Sequence, residues 1–442
     1  MSATCIFSHA GFFDLFSPVI FWIRDFRIRN FCIRDGRHFE WGECMSQVQG
    51  ALTGIRVVDL SRVLAGPFCT MILGDLGAEV IKVEAPGGSD ETRGWGPPYT
   101  GGESAYYLTA NRNKKAITLN LKHPEGKEIF LRLVKDADVL VENFKAGTLA
   151  RMGLAPEKLL EINPRLVIGE ITGFGQNGPL RALPGYDYIV QALGGLMSIT
   201  GSEESGPMKV GVAIVDVLTG LFTAIGILAA LQERQRSGKG QVVDVALLDV
   251  SVAALVNVAS NYLVSGNLPR LLGNAHPNIV PYQTFRARDQ EMVVAVGNDR
   301  QFARFAEVIE RPDLAEDERF STNPARLAHR EELIAMIQEA LQKRTAQEWM
   351  DRLQEAGIPC APIQTLDQVF RHPQVLARGM VVEMDHPTAE RVRLVGSPLH
   401  LSRTPVSYRI HPPLVGEHTD EVLFELGYSA EDVQRFRAEG VV

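Results

Sequence analysis

The stretch GIRVVDLSRVLAGPFCTMILGDLGAEVIKVE, residues 54–84, decides the fold class. Its first apolar run, IRVVDLS, predicts a β-strand, and GPFCTMILGDLG predicts a helix that Gly77 closes. The run AEVIKVEAP then predicts a second strand. A helix between two strands is typical of parallel pairing, because the crossover returns the chain to the edge from which the first strand started.

The same alternation of strands and helices continues along the chain. We expect helices at 123–137 and 155–163, strands at 138–144, 164–173 and 240–250, a long helix from Asp216 to about Arg236, and a further helix to about Val264. Such alternation predicts an α/β fold with a doubly wound, largely parallel sheet.

A smaller second domain is predicted after the residues from Gly266 to Pro281, which are rich in Gly, Pro and Asn. Beyond this boundary we expect hairpins at 283–297 and 380–396, and helices near 300–310, 325–342 and 346–356. The length of 442 residues is consistent with two domains.

Composition excludes several functional classes. The net charge of -8 argues against a nucleic-acid-binding protein, which is normally basic. The five cysteines form no CxxC pair, and no His, Cys, Asp and Glu spacing is typical of a metal site, so we predict no metal. The longest uncharged run, residues 217–232, is shorter than the roughly 20 residues of a membrane span. We therefore expect a buried core helix, no membrane partner and a cytoplasmic location.

The first 44 residues differ from the rest of the chain. They hold eight of the 20 phenylalanines, and IRD, IRN and IRD recur with a period of five that suits neither helices nor strands. They resemble neither a secretory signal nor an acid-poor transit peptide. Our hypothesis is that Met45 is the true start and 1–44 a non-native leader; the alternative is a disordered or membrane-touching extension.

The motif GFGQNG at 173–178 matches the GxGxxG pattern of dinucleotide-binding folds. In such folds the motif opens a helix whose amino end holds the pyrophosphate. Pro179 and Pro184 would prevent that helix here. We therefore do not expect a nicotinamide or flavin cofactor.

Asp216 heads the run VGVAIVDVLTGLFTAIGILAALQ, in which it is the sole charged residue. Burial of an unpaired carboxylate is costly, so the position needs an explanation. One explanation is a helix cap, the commonest use of Asp at a helix start. The other is a nucleophile that apolar surroundings shield from water.

Several motifs of the chain resemble those of the class III CoA-transferases. They are residues 54–84, NRNKK (111–115), VENF (141–144), LARMGL (149–154), GFGQNGP (173–179), GYDYIVQA (185–192) and GEHTDEVLFELG (416–427). The family also contains formyl-CoA and carnitine CoA-transferases and related α-methylacyl-CoA racemases.

The resemblance implies an architecture. A Rossmann-like large domain would comprise 52–247 and 402–442, and a small inserted domain 273–372, with linkers at 248–272 and 373–401. Two identical subunits would interlock as a homodimer.

The resemblance also implies a reaction. Asp216 would form a covalent aspartyl-CoA thioester, so that CoA passes from an acyl-CoA to a carboxylic acid, with no permanently bound cofactor. Similarity to the succinate-dependent branch implies succinyl-CoA as the donor and a dicarboxylate as the acceptor. The alternative is a racemase, but racemases carry a basic His in GHD where this chain has Tyr186 in GYD. A non-enzymatic CoA-binding protein is a third possibility, which an intact Asp216 argues against.

Family positions imply two sets of contacts. Those expected to hold CoA are Val63, Ala65, Leu119, Lys122, Asn143, Phe144, Arg151 and Asp187. Those expected near the substrate are Tyr186, Trp95, Gly273 and His276, the last two on a loop over the site. Two residues depart from formyl-CoA transferase: Leu64 replaces a Gln, which argues against oxalate, and Ala85 replaces an Arg.

Overall fold

The computed structural model describes residues 31–34, 37–40 and 50–442. Phe31–Arg34 and Arg37–Glu40 form an antiparallel pair of short strands within the predicted leader. The rest of the leader lies outside the described residues, and its origin stays a prediction.

The centre of the structure is a sheet of six parallel strands. In chain order they are β1 (Arg56–Asp59), β2 (Glu79–Glu84), β3 (Lys114–Thr118), β4 (Val139–Glu142), β5 (Val167–Thr172) and β6 (Val242–Ala246). Their spatial order is 3-2-1-4-5-6, the order of doubly wound dinucleotide-binding folds. The predicted parallel sheet is confirmed.

The helices are numbered along the chain. They are α1 (Ala65–Asp75), α2 (Pro124–Lys135), α3 (Pro156–Ile162), α4 (Asp187–Leu193), α5 (Ile214–Ser237), α6 (Leu247–Ala253), α7 (Val256–Ser265), α8 (Asp299–Val308), α9 (Asp313–Glu316), α10 (Asn323–Ala328), α11 (Arg330–Leu341), α12 (Ala346–Glu355), α13 (Thr419–Glu425) and α14 (Ala430–Ala438). Shorter helices cover Glu91–Gly94, Ala105–Leu108, Thr148–Arg151, Met197–Ile199, Leu366–Val369 and Pro373–Ala377.

Each face of the sheet carries its own core. On one face Val57 packs with Leu73 of α1 and Ile227 of α5. On the other, Leu140 packs with Leu133 of α2 and Phe436 of α14. The C-terminal helices therefore pack on the same layer as the six-stranded sheet.

A third core lies within the predicted small domain. Strands β7 (Tyr282–Arg286), β8 (Glu291–Ala295) and β9 (Cys360–Pro362) form an antiparallel sheet in the order 7-8-9, and helices α8 to α12 pack around Trp349. A hairpin of β10 (Val381–His386) and β11 (Glu390–Val395) follows. Two-residue strand pairs join Tyr99–Thr100 to Glu103–Ser104 and Gly201–Ser202 to Gly206–Pro207.

Two elements differ from the sequence-based expectation. Strand β3 was not predicted, because its charged start hides a strand whose Lys114 is fully buried in an ion pair. The strand expected at 240–250 ends at Ala246, and α6 starts at once, so the predicted linker 248–272 contains most of α6 and all of α7. The division into two domains stays a prediction.

Helix α5 has one buried and one exposed apolar side. Among the described residues it is the single continuous helix long and apolar enough to cross a membrane by length and composition alone. However, Val215, Ala224 and Ile227 are buried against the sheet layer. Phe222 and Ile225 face outward and are 45% and 60% exposed.

Candidate active site

A cleft opens at the carboxyl edge of the sheet, where β1 and β4 are neighbours. Chain connections diverge at this point, which is where doubly wound sheets bind ligands. The loop after β1 contributes Val63 and Ala65, and the loop after β4 contributes Asn143 and Phe144. Asp216 closes the same cleft, whose volume is about 820 Å³ including its open mouth.

The loop after β1 is held in a strained conformation. Val63 has a φ of +70°, which is unfavourable for a β-branched residue. Its N–H donates to Asp90 Oδ1 at 3.1 Å, and Lys82 Nζ donates to both Asp90 Oδ2 and the Ser61 carbonyl at 2.9 Å. Strain of this kind persists where surrounding contacts enforce it, commonly at functional sites.

Beneath this loop lies a paired-charge layer, which we define as Asp59, Lys82, Asp90 and Lys114. All four are buried, with Lys82–Asp90 at 2.9 Å and Lys114–Asp59 at 3.1 Å. Burial acts to raise the pKa of Asp59, but the charges of Lys114 and Lys82 outweigh it and the pKa is lowered. Burial lowers the pKa of Lys114 to about 8, against the opposing effect of Asp59.

The amino end of α1 adds a positive potential to the cleft. Leu64 is its N-cap residue and, among the described residues, no side chain caps it. The first N–H groups of a helix carry a partial positive charge, which favours phosphates and carboxylates. Leu64 and Ala65 both line the cleft, so an anion there lies near the start of this helix.

Asp216 is the third residue of α5, whose N-cap residue is Ala213. Its carboxyl makes no capping bond; instead Asp187 Oδ1 accepts the N–H of Val215 at 2.8 Å and that of Asp216 at 3.4 Å. The interpretation of Asp216 as a cap is therefore wrong. Asp187 performs that role and leaves the Asp216 carboxyl free.

Two buried side chains form a helix clamp, which we define as Asp187 and Gln191. Gln191 Nε2 donates to Asp187 Oδ2 at 2.7 Å, and Gln191 Oε1 accepts the N–H of Val210 at 2.9 Å. Gln191 is fully buried. The clamp thus ties α4 both to the start of α5 and to the segment that precedes it, and fixes the backbone that carries Asp216.

The pKa of Asp216 is shifted in the opposite direction to that of Asp59 in the paired-charge layer. Burial, followed by the nearby negative charge of Asp187, raises the pKa of Asp216 to about 7. Its position in the first turn of a helix favours the anion, but burial and the like charge dominate. Burial and then the charge of Asp216 raise the pKa of Tyr106 to about 12, so this phenol stays protonated.

A carboxylate with these properties is suited to nucleophilic catalysis on an acyl group. No cation pairs with it among the described residues, and its surroundings favour the uncharged state. Acylation removes the charge, so it relieves both the desolvation and the repulsion from Asp187. The cleft beside it accepts anions, through the amino end of α1.

Comparison with known proteins identifies the family of the chain. The model of CoA-transferase family III matches residues 52–419 of the chain. The chain belongs to CoA-transferase family III. It is a class III CoA-transferase enzyme, as the sequence motifs implied.

Individual relatives are similar over most of their length. The succinyl-CoA:glutarate CoA-transferase of Homo sapiens is 43% identical over 392 residues, which are 88% of this chain and 90% of that protein. The succinate–glutarate CoA-transferase of Agrobacterium fabrum is 46% identical over 381 residues, 85% of this chain and 95% of that protein. The crystal structure of a CAIB/BAIF family protein from Brucella suis has a TM-score of 0.76 at 43% identity and covers 86% of this chain and 100% of that one.

Many of the residues expected to hold CoA lie together in this transferase. Val63, Ala65, Asn143 and Phe144 line the cleft of Asp216, as does the expected substrate residue Tyr186. A second cleft shares Arg62 and Phe144 with the first, and contains Leu119, Lys122 and the family departure Ala85. The two clefts are therefore neighbours that meet at Arg62 and Phe144, with Lys122 in one and Asp216 in the other.

Trp95 lies outside the residues that line these clefts. It is 44% exposed and packs edge-on against Tyr106, with ring centroids 5.1 Å apart. Burial, and then the negative charges of Asp216, Asp187 and Asp90, raise the pKa of Tyr106. The role of Trp95 near the substrate stays a prediction.

Besides Trp95, four expected residues are not in the two clefts. Arg151 is exposed and donates to Thr148 Oγ1 at 2.8 Å. The Asp187 carboxyl is used by the helix clamp. Gly273 lines a separate cavity beside α7, and the His276 ring packs against Tyr282 at 5.2 Å. Their roles in CoA or substrate binding stay predictions.

Three residues of the site were not identified from the sequence. Arg181 lines the cleft from the loop after β5, Gln191 belongs to the helix clamp, and Tyr106 lies near Asp216. A cation in a loop after a parallel strand is a usable signal for Arg181. Gln191 and Tyr106 stand among ordinary helix residues, and nothing in the sequence pattern marks them.

Proposed function

We propose that this transferase moves CoA from succinyl-CoA to a dicarboxylic acid of about five carbons, with Asp216 as the covalent nucleophile. The observation that carries the proposal is an unpaired, half-buried carboxylate in a cleft that adjoins a second cleft containing Lys122. The named substrates of the human and Agrobacterium relatives, succinate and glutarate, support this choice.

The reaction balances in four steps. Asp216 attacks the donor thioester, which gives a mixed anhydride and expels CoA thiolate. The thiolate attacks the aspartyl carbonyl, which releases succinate and leaves an aspartyl-CoA thioester. The acceptor carboxylate attacks this thioester, giving a second mixed anhydride and thiolate. Attack of the thiolate on the acceptor's carbonyl then forms the new acyl-CoA and restores the Asp216 carboxylate.

CoA is proposed to lie along the two clefts. Lys122 in the second cleft would contact phosphate oxygens, since a Lys ammonium is a compact donor for phosphate. The pantetheine arm would pass Phe144 and bring the sulfur to Asp216. Val63 and Ala65 would contact the arm from the strained loop, and Leu64 in place of Gln leaves an apolar wall at the amino end of α1.

The racemase alternative requires a base on each face of the carbon next to the thioester. Tyr186, which stands where racemases carry His, is 58% exposed, and a phenol is a weaker base than an imidazole at neutral pH. In heavy water, 2-methylacyl-CoA should therefore take up no deuterium at that carbon. Rapid uptake would favour the racemase.

We also propose a homodimer. The outward side of α5 and the end of α7 expose large apolar side chains, among them Phe222, Ile225, Leu263 and Val264. Exposed large apolar side chains on neighbouring parts of a chain are a feature of protein interfaces when they form a patch. Light scattering should give twice the chain mass, and Ile225→Asp should shift the protein toward monomer or aggregate; a wild-type monomer would contradict the proposal.

The substrates are tested with a panel. Acyl-CoA donors (succinyl, acetyl and 2-methylacyl) are each combined with dicarboxylates of three to six carbons, and product CoA esters are identified by mass spectrometry. The expected result is the highest kcat/KM for succinyl-CoA with a C5 dicarboxylate. Preference for monocarboxylate pairs would overturn the substrate assignment and leave the CoA-transferase assignment standing.

A further inference from the structure

The loop between β5 and α4, residues 173–185, is closed at its base. A Cβ on Gly173 would lie 2.4 Å from the Cα of Gly185, so a side chain at this position would clash with the backbone across the base. The N–H of Gly175 donates to Thr172 Oγ1 at 2.8 Å and that of Leu183 to the Leu180 carbonyl at 2.9 Å. The GxGxxG pattern therefore belongs to a compact loop and does not open a helix.

This loop brings a cation to the cleft of Asp216. Arg181, Leu183 and Pro184 line the cleft together with both glycines of the base. Arg181 is exposed, and within residues 50–442 no carboxylate lies within ion-pair distance of its guanidinium. An unpaired guanidinium that faces a ligand cleft is available to a ligand carboxylate.

The other cations of the cleft differ from Arg181. Arg62 is paired with Glu91 at 3.1 Å and lies over the Phe144 ring at 5.8 Å. Lys145 lines the cleft next in sequence to Phe144, the residue shared with the second cleft in which CoA is proposed to bind. Arg181 comes instead from the loop that ends at Tyr186, beyond which the helix clamp begins.

We infer that Arg181 determines specificity by binding the distal carboxylate of the dicarboxylic substrate while its proximal carboxyl reacts at Asp216. A guanidinium matches a carboxylate with two parallel N–H···O bonds, which an ammonium cannot provide in the same plane. The inference rests on the proposed function and adds the residue that selects dicarboxylates over monocarboxylates.

The test compares glutarate with pentanoate, a monocarboxylate of the same chain length. Because the aspartyl-CoA thioester is common to both acceptors, the ratio of their kcat/KM values reports the second half-reaction alone. Arg181→Met should lower this ratio about 10- to 100-fold, as expected for loss of a charge-assisted hydrogen-bonded pair. Arg181→Lys should retain part of it, and CoA affinity by calorimetry should stay within about twofold, which also verifies folding.

Lys145→Met is the matched comparison, since it removes the other unpaired cation of the cleft. It should weaken CoA binding and leave the glutarate-to-pentanoate ratio unchanged; Arg371→Met, in the exposed turn after the helix Leu366–Val369, should change neither. The inference is overturned if Arg181→Met keeps the wild-type ratio, or if Lys145→Met is the variant that loses it. Failure of the wild-type enzyme to transfer CoA at all would instead overturn the proposed function.

Discussion

The fully buried carboxylates of the paired-charge layer and the half-buried carboxylate of Asp216 have opposite electrostatic surroundings. In the paired-charge layer, Asp59 and Asp90 each have a lysine within about 3 Å, and their pKa values are lowered. The Asp216 carboxyl pairs with no cation among the described residues. Burial and the nearby negative charge of Asp187 raise its pKa to about 7.

The difference distinguishes carboxylates that stabilise the fold from the carboxylate that is proposed to react. Ionisation of the paired carboxylates is compensated by their lysines, and the layer holds the strained loop at Val63. Ionisation of Asp216 is compensated by no cation among the described residues and lowers the stability of the folded protein. Acylation removes the charge and with it this cost. A buried charge whose partner is missing is therefore the better indicator of a reacting group, as perturbed pKa values in clefts often are.

The largest expected effect is on turnover. Asp216→Asn removes the nucleophile while preserving shape, so transfer from succinyl-CoA should fall by on the order of 10⁴-fold or more. CoA binding should remain measurable by calorimetry. Transfer within tenfold of wild type would show that Asp216 does not react.

The next effect is on stability and concerns the paired-charge layer. Lys82→Met leaves Asp90 buried without its cation, so the free energy of unfolding should fall by about 3–5 kcal/mol. Lys158→Met, at an exposed position of α3, is the matched control and should change it by less than about 0.5 kcal/mol. Equal values for the two variants in urea denaturation would mean that the buried pairs do not hold the fold.

The same Asp216→Asn substitution should stabilise the protein. The folded pKa near 7 lies above the unfolded value of 3.8, so ionisation of Asp216 lowers wild-type stability increasingly as pH rises from 4 to 7. The variant should gain up to about 4 kcal/mol at pH 8 and little at pH 4. Denaturation curves at both values measure it; a gain that is equal at both would contradict the raised pKa.

The smallest effect is on the pH profile. Asp216 must be ionised to attack, so kcat/KM should rise with pH up to about 7. Asp187→Asn removes the like charge, and the acid limb should move down by roughly 0.5–1 pH unit. Gln191→Leu breaks the helix clamp but keeps the negative charge of Asp187. It should therefore lower kcat and leave the pH of the acid limb unchanged. If the acid limb moves in both variants, the geometry of the helix clamp, and not the charge of Asp187, determines the pH at which activity is lost.

Much of the fold was predictable because hydrophobic runs alternate cleanly from residue 54 onward. Strand β3 was not predicted because it begins with a charged residue, Lys114. That lysine is buried through its ion pair with Asp59, which lies 55 positions earlier in the chain. Asp216 could be singled out as the candidate nucleophile because a lone acid in an apolar helix is conspicuous. Its neighbours were not: Asp187 was expected at CoA, and its contacts with α5 arise from packing that no local pattern encodes.

The most direct measurement of the central claim is chemical trapping of Asp216. Incubation with succinyl-CoA alone should accumulate an acylated or CoA-linked Asp216, which hydroxylamine converts to a hydroxamate about 15 Da heavier than the free peptide. Mass spectrometry should locate the label on the peptide that contains Asp216 and find none in the Asp216→Asn variant. Turnover that proceeds while this peptide stays unmodified, or a label on another carboxylate, would contradict the account.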